Sequence, residues 1–268
     1  PCRWLDQYGA VYPPIETGAT FLSTRIKEVN QSVNFPYCKH SISPHCKWDD
    51  VGQFTYFVAQ PEMFTIWIDH TMAVPDIGLT PDTFSRAAGQ MEGKLLGPDG
   101  STEVDPCEPY KKLKLDCPSY VHVGETGQNG QDIVPLQSLL DAAGVDMDQD
   151  ANLATTNTSE TVRFAGIVLV LTITYNNMDN FDPFIITYTY SVSPILKAEY
   201  KGEEIDPQPG VSTEKRTLYD RHGVRIVVRQ AGTVGLFSPS TMLIQAVTSL
   251  GLLAVAGSIV NFLAFNVL

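Results

Sequence analysis

The chain has 268 residues, of which 30 are Asp or Glu and 18 are Lys or Arg, so its formal net charge is -12. This balance argues against nucleic acid as a partner, because phosphate backbones attract basic surfaces, and it favours cations near the protein. Roughly 230 residues precede an uncharged tail, which suffices for one large all-β domain or two smaller domains.

The first twelve residues are mixed in character and begin with Pro1 rather than Met. Trp4, Leu5 and Tyr8 are of the aromatic and apolar types that gather at a membrane edge. We expect residues 1–12 to be the end of a first transmembrane span with its juxtamembrane segment, the rest of that span lying upstream.

Residues 21–29 alternate in polarity, which predicts a β-strand. Side chains two apart on a strand share a face. The two expected faces carry Ser23, Arg25 and Lys27 on one side and Leu22, Thr24 and Ile26 on the other. Two cations on one face are also ordinary for a solvated strand, so this pattern alone does not identify a site.

The cysteines favour an extracellular or lumenal domain. Cys107 and Cys117 bracket a Lys-rich stretch, as a short disulfide-closed hairpin would, and Cys38 and Cys46 are close enough to form a second disulfide. His40 and His45 make a zinc cluster the alternative at the second pair. Cys2 is left over, and two glycosylation sequons begin at Asn30 and Asn157.

Further strands and one helix are predicted along the chain. Residues 54–58 and 63–72 are expected to pair around Gln60, and residues 162–175 and 184–192 form two more β-branched and aromatic runs. Residues 135–144 have apolar side chains at helical spacing and end at a glycine, which predicts a short helix. Asp146, Asp148 and Asp150 are expected to form a turn, with a metal loop as the alternative.

The last 39 residues, 230–268, contain no Asp, Glu, Lys, Arg or His. Residues 241–268 would form a helix of about 42 Å, which is enough to cross a hydrocarbon core of about 30 Å with tilt. We therefore assign residues 240–268 to a transmembrane helix and residues 13–239 to a β-rich domain outside the membrane.

This helix carries polar residues that a simple lipid anchor would not favour. They are Thr241, Gln245, Thr248, Ser249, Ser258 and Asn261. The first four share one side of the helix and the last two lie on another side. Lining of a pore and small-residue packing within a helix bundle are both consistent with this pattern.

No enzyme motif is present: the five His residues are scattered, and neither a nucleophile elbow nor a P-loop occurs. We expect no catalytic residue, no cofactor and no resident metal. A hydrolytic ectoenzyme is the alternative, since catalytic groups can be distant in sequence.

The order of several segments resembles that of the ATP-gated purinergic receptor channels, the P2X family. The similar segments, from the carboxyl end upward, are Lys215 to Leu218, Gly223 to Ile226, Gly232, Gly235 and Phe237, Thr241-Met242, Leu250 to Ala256, Leu136 to Asp148, Gly166 to Asn177, Cys107 with Cys117, Trp48 to Thr71, and Ser23 to Lys27. Each segment alone is only weakly specific for the family. Their occurrence in the same order along the chain is much more specific.

The resemblance implies a homotrimer with two spans per subunit, both ends cytoplasmic, and ATP in clefts between subunits. Arg25 and Lys27 stand where the family has two phosphate-binding lysines, and the helix at residues 240–268 would line a cation pore. The location implied is the plasma membrane or an intracellular vacuolar membrane, with the main domain extracellular or lumenal and with lipid around the spans.

The chain departs from the family at several positions. The family's Asn-Phe-Arg triplet is missing, with Lys197 near its place, and the next family lysine is replaced by Asp220, beside Arg221. The interval between Pro75 and Cys107 is short, one family disulfide is absent, and Asn261 replaces an acidic residue.

We therefore predict a subunit of a trimeric ligand-gated cation channel that binds ATP or another anionic small molecule through Arg25, Lys27, Lys197 and Arg221. The alternative is a membrane-tethered structural or adhesion protein on the same trimeric scaffold that has lost nucleotide binding. Current evoked by a nucleotide separates the two.

Overall fold

The structure is a computed structural model that describes residues 1–33, 47–74, 91–125, 131–151, 159–178, 185–206, 214–235 and 237–266. The predictions on Cys38, His40, His45, Cys46 and Asn157 fall outside these residues.

Ten strands and five helices are assigned within the described residues. The strands are β1 (Cys2–Arg3), β2 (Ala19–Val33), β3 (Trp48–Val58), β4 (Thr65–Ile68), β5 (Glu92–Leu96), β6 (Asp132–Pro135), β7 (Ile167–Asn176), β8 (Thr187–Ile195), β9 (Lys201–Asp206) and β10 (Lys215–Thr233). The helices are α1 (Gln7–Ala10), α2 (Glu108–Lys112), α3 (Leu136–Ala143), α4 (Val162–Ala165) and α5 (Pro239–Asn266), and a 3-10 turn covers Pro61–Met63.

Eight strands form one mixed sheet in the order β1-β3-β2-β10-β7-β8-β5, with β9 pairing to β10. The long strand β10 pairs with three of the other strands and so connects the two halves of this sheet. Its first half, residues 215–222, lies between β2 and β9, and residues 224–233 run parallel to β7. The strand predicted at residues 21–29 is confirmed as the centre of β2.

The predicted pairing of residues 54–58 with residues 63–72 was wrong. β3 pairs with β2, whereas β4 pairs with β6 in a separate two-stranded sheet. The 3-10 turn at Pro61–Met63 redirects the chain between β3 and β4, so that the two strands enter different sheets.

The main core lies between one face of the large sheet and the layer formed by α3 with the β4–β6 pair. Leu139 and Leu140 of α3 and Leu169 of β7 are fully buried in it. The helix predicted at residues 135–144 is confirmed as α3, and Gly144 ends it with a φ of 66°, the left-handed conformation that glycine adopts most readily.

The strand predicted from residue 162 onward begins five residues late. Residues 162–165 form α4, and β7 starts only after Gly166, whose φ is 83°. The β-branched run from residue 167 onward alternates between buried and half-buried side chains, as expected for a strand. The short helix matters because it contacts β2 and β10 from the core side.

A buried polar network crosses the core. The Asp132 carboxylate accepts hydrogen bonds from the Tyr188 hydroxyl, the Tyr190 hydroxyl at 2.7 Å and the Gly124 amide at 2.8 Å. The His70 ring contacts the Tyr190 hydroxyl at 2.9 Å. These contacts satisfy polar groups whose burial would otherwise destabilise the fold.

The tail forms one continuous helix, α5, of 28 residues. Residues 239–265 are long and apolar enough to cross a membrane, and they are the one such helix in the part of the chain that the structure describes. Its apolar side chains are exposed, for example Leu253 at 74%. The prediction of a β-rich domain followed by a transmembrane helix is confirmed.

Two smaller predictions are also confirmed. Cys107 and Cys117 form a disulfide with 5.5 Å between their Cα atoms, but the loop that it closes contains α2 and is not the predicted hairpin. Asp146 and Asp148 lie in the turn that follows α3, where Arg163 binds the Asp148 carboxylate at 2.8 and 3.0 Å. This ion pair lowers the pKa of Asp148. Cys2 is a free, exposed cysteine.

Candidate functional site

The carboxyl end of α4 is held by three side chains from β2 and β10. The Thr24 hydroxyl donates to the carbonyl of Arg163 at 2.7 Å, and Arg25 Nε donates to that of Phe164 at 2.9 Å. His222 Nδ1 meets the carbonyl of Ala165 at 3.1 Å. Carbonyls at a helix end lack partners within the helix and carry partial negative charge, so cationic donors suit this position.

A β-bulge makes this arrangement possible. Arg25 lies opposite His222 and Ser23 lies opposite Gly223, so two residues of β2 face one residue of β10. Thr24 therefore turns to the same face as Arg25, and Ser23 turns to the other face, where Arg221 contacts its hydroxyl at 3.5 Å. The predicted face of Ser23, Arg25 and Lys27 was wrong for Ser23, because strict alternation does not hold across a bulge.

The Arg25 side chain is buried, with 8% exposure, and its guanidinium stacks on the Phe164 ring at 3.8 Å. Burial lowers the pKa of Arg25, and the carboxylates of Asp220, Glu160 and Glu199 oppose this shift. Arginine stays charged under these conditions. Arg25 therefore anchors α4 and keeps a positive charge at the edge of the core.

Lys27 lies two residues further along β2, on the same face as Arg25. Its Cα lies opposite Asp220 of β10 and Thr55 of β3. The side chain is half-buried, and its ammonium makes no hydrogen bond or ion pair to any residue that the structure describes. Lys201 of β9, which lies opposite His222 and is exposed, is a second cation of this face without a partner among the described residues, so both ammonium groups are available to an external anion.

Arg221 lies on the opposite face of the sheet. Its guanidinium binds Glu204 at 2.6 and 3.0 Å and donates to the Gly9 carbonyl at 2.7 Å. β10 is extended here, as expected, so Arg221 and Asp220 point to opposite sides. The structure does not bring Arg221 together with Arg25 and Lys27 within one subunit.

Lys197 makes no hydrogen bond or ion pair to any residue that the structure describes. It is exposed, has a φ of 61°, and follows β8 in the wall of a cavity of about 410 Å³ that Gly166 also lines. The role of all four cations in phosphate binding stays a prediction, with Arg25 and Lys27 as the pair that shares a face.

Sequence reasoning missed His222 and Thr24 as members of this site. Helix α4 is only four residues long and falls inside an apolar run, so local pattern gives no sign of it. The alternation of β10 does place His222 on the face of Asp220. This alternation of side chains along β10 was the one feature of the sequence that could have identified His222.

The polar side chains of α5 fall into two groups. The hydroxyls of Thr248, Ser249 and Ser258 donate to the carbonyl four residues earlier at 2.7 to 3.0 Å, and the Thr241 hydroxyl donates to Ser238. Gln245 and Asn261 make no side-chain hydrogen bond to the described residues. In a membrane these two amides need water or a partner helix, whereas the hydroxyls are already satisfied.

Asn30 is exposed on β2 and accepts a hydrogen bond from the Thr217 hydroxyl at 3.2 Å. Its glycosylation stays a prediction. Residues 1–12, predicted to be a membrane edge, lie in part against the sheet, where β1 pairs with β3, while Trp4 and Tyr8 are exposed at 75% and 77%.

Among curated proteins, the chain is 33% identical over 269 residues to P2X receptor E of Dictyostelium discoideum and 32% identical over 269 residues to P2X receptor A of that organism. Both alignments take in all of this chain, which spans 63% and 64% of the length of these relatives. No family model matches the chain.

Among solved structures, a P2X receptor from the Gulf Coast tick, crystallised in the presence of ATP and Zn²⁺, is similar with a TM-score of 0.54 and 15% identity. That alignment covers 97% of this chain and 81% of the tick chain. The chicken ATP-gated P2X7 receptor channel, in the presence of the competitive antagonist TNP-ATP, gives a TM-score of 0.55 and 14% identity over 98% of this chain and 84% of the chicken chain. At these identities the likeness concerns the fold.

Proposed function

This chain is a homologue of the P2X receptors along its whole length, and from that premise we propose that it is a subunit of a trimeric, ligand-gated cation channel. ATP is the first ligand to test, because the curated relatives are P2X receptors and two structures of the same fold were determined with ATP or an ATP analogue. The position of Lys27 carries the proposal. Its ammonium is free of described partners and lies on the strand that pairs with β10, which leads to α5.

The ligand site is completed by a neighbouring subunit. A nucleotide triphosphate carries several negative charges, whereas this face offers Arg25, Lys27 and the exposed Lys201, with three carboxylates close to Arg25. Further donors are needed, and Lys197 and Arg221 point elsewhere within one subunit. A cleft between subunits brings such groups together from two chains.

The transmembrane helix supports the same assembly. α5 is exposed along its length, and its two unsatisfied amides at Gln245 and Asn261 require water or another helix. Three copies around an axis supply both a wet lumen and helix contacts. Because α5 carries no charged residue, the acidic residues of the β-rich domain above the pore attract the cations.

The main domain lies on the extracellular or lumenal side of a plasma membrane or of an intracellular vacuolar membrane. The Cys107–Cys117 disulfide supports this side, because such bonds persist in oxidising compartments.

One observation favours a second candidate, a trimeric scaffold for adhesion or structure that has lost nucleotide binding. Asp220, Glu160 and Glu199 act on Arg25, and Asp220 lies opposite Lys27. These carboxylates oppose a phosphate at this face.

Whole-cell recording on the complete protein, expressed in the membrane facing the bath, tests the proposal. We expect ATP to evoke an inward cation current that is absent from untransfected cells. Surface-labelled protein that passes no current with ATP or any other nucleotide would favour the scaffold.

Gln245→Cys should become accessible from the water-filled pore. We expect a cationic methanethiosulfonate reagent to block ATP-evoked current at least about tenfold faster in this variant than in Leu243→Cys, because the two positions are about 200° apart around the helix. Both variants keep the exposed Cys2, so its reaction is common to both. Equal rates, or faster block of Leu243→Cys, would place Gln245 away from the lumen.

A further inference from the structure

We propose that His222 and Asp220 form a proton-binding pair that controls the affinity of the Arg25–Lys27 face for an anion. This inference deepens the proposed function and rests on it. Neither residue was expected to bind the ligand, and both lie on β10 directly opposite the two cations, His222 facing Arg25 and Asp220 facing Lys27.

The hydrogen bonds assign the tautomer of His222. A carbonyl oxygen only accepts, so the contact of 3.1 Å between Nδ1 and the Ala165 carbonyl requires the proton on Nδ1. In the neutral ring Nε2 then carries a lone pair. Nε2 lies 3.4 Å from Asp220 Oδ1.

With His222 neutral, the two atoms are therefore mismatched. Asp220 Oδ1 is buried and makes no hydrogen bond to any described residue, and the Nε2 atom that lies 3.4 Å from it is a second acceptor. A proton on Nε2 places a positive charge 3.4 Å from the carboxylate and turns this contact of two acceptors into an ion pair. The pair then carries no net charge, whereas before it carried one negative charge.

The groups around His222 indicate where this proton binds. Arg25 of β2 and Lys201 of β9 lie opposite it, Asp220 is on its own strand and faces Glu203 of β9, and Glu199 precedes β9. On α4, Arg163 is held by Glu62 and Asp148. Desolvation lowers the pKa of His222 below its ordinary value of 6.5, Ala165 opposes this through its hydrogen bond, Arg25 lowers the pKa further, and both carboxylates raise it.

A proton is a better occupant than a divalent metal ion. Only two ligand atoms converge here, and no group of three or more potential metal ligands occurs among the described residues. The guanidinium of Arg25 also lies close enough to act electrostatically on His222, and it repels a doubly charged ion more strongly than a proton.

The charge of the pair acts on the ligand face. With His222 neutral, the Asp220 carboxylate offsets the Lys27 ammonium across the strand pair. With His222 protonated, that offset is cancelled and an anion binds more tightly. By reciprocity, a bound anion raises the pKa of His222. Anion affinity consequently rises as the pH falls through the pKa of His222.

The test is equilibrium binding of ATP to the complete, purified protein at about pH 7.5 and about pH 5, the lower value being set well below the ordinary histidine pKa because desolvation lowers the pKa of His222. All buffers contain a chelator, which excludes a metal ion as the cause. ATP itself titrates near pH 6, and the variant His222→Gln, of similar size, corrects for this. We expect the ratio of affinities at the two pH values to be at least about fivefold larger in the wild type than in His222→Gln.

Asp220→Asn is the second variant and keeps the test independent of the folding of His222→Gln. It should bind ATP more tightly than the wild type at about pH 7.5, and its histidine-dependent rise in affinity should move to lower pH, because the carboxylate that raises the pKa of His222 is gone. Binding with the same pH ratio in all three proteins would overturn the inference. Absence of ATP binding at both pH values in all three would instead overturn the proposed function.

Discussion

Gly223→Ala should destabilise the protein by more than about 4 kcal/mol, which is beyond the usual range for one substitution. A Cβ atom at this position would lie 2.0 Å from the Leu22 carbonyl oxygen and 2.8 Å from the Ser23 Cα. Both are backbone atoms of the paired strand at the bulge, so they cannot move aside as a flexible side chain would. The strands must separate where Arg25 and His222 hold α4.

Thermal unfolding of the detergent-purified protein measures this effect, and we expect the Tm to fall by about 10 °C or more. Gly52→Ala is the matched control. Gly52 lies on the neighbouring strand β3, and a Cβ added there meets no atom within 4 Å. If Gly223→Ala and Gly52→Ala have the same Tm, the close approach of β2 and β10 at the bulge is disproved.

Lys27→Ala should raise the ATP concentration for half-maximal current by roughly 10- to 150-fold. This range corresponds to about 1.5 to 3 kcal/mol, the usual contribution of a hydrogen bond to a charged group. The effect should fall on ligand binding alone, because the Lys27 ammonium holds no described part of the fold. Concentration–response curves on cells with matched surface expression measure it.

Lys215→Ala is the control for lost charge. Lys215 is exposed on β10, lies opposite Ser32, and belongs to the face that Lys27 does not share. Arg25→Ala is less informative, because Arg25 also binds the Phe164 carbonyl and stacks on its ring. An unchanged ATP response in Lys27→Ala, with any shift confined to Lys215→Ala, would remove this face from the ligand site.

Local pattern predicted those elements whose burial repeats along the chain. α3 and the centre of β2 each have a period that one buried surface imposes, whereas the tail was recognised from its lack of charged residues, and all three were found. The pairing of β4 with β6 and the helix α4 could not be predicted in this way. Both depend on contacts between residues far apart in sequence, which periodicity does not report.

In the candidate site too, some side-chain directions could be predicted from the sequence and others could not. Parity predicted that Arg25 and Lys27 share a face and that Arg221 points away from Asp220. It failed at Ser23 and Thr24, because the bulge arises from the approach of Gly223 on another strand. A single inserted residue reverses every side-chain direction beyond it, so a strand pattern is reliable only between bulges.

In the proposed channel, the pairing of β10 restricts how ligand binding could act on the membrane helix. From Asp220 to Thr233 the strand extends about 43 Å, with ladders to β2, β9 and β7 along the way. If β10 slid along its paired strands by one residue, Val224 and Ile226 would turn out of the core. A translation of β10 along its own axis is therefore excluded. A displacement at the ligand face would instead tilt the sheet as a rigid body. The displacement of Pro239 is then determined by the angle of this tilt and not by a change of strand register.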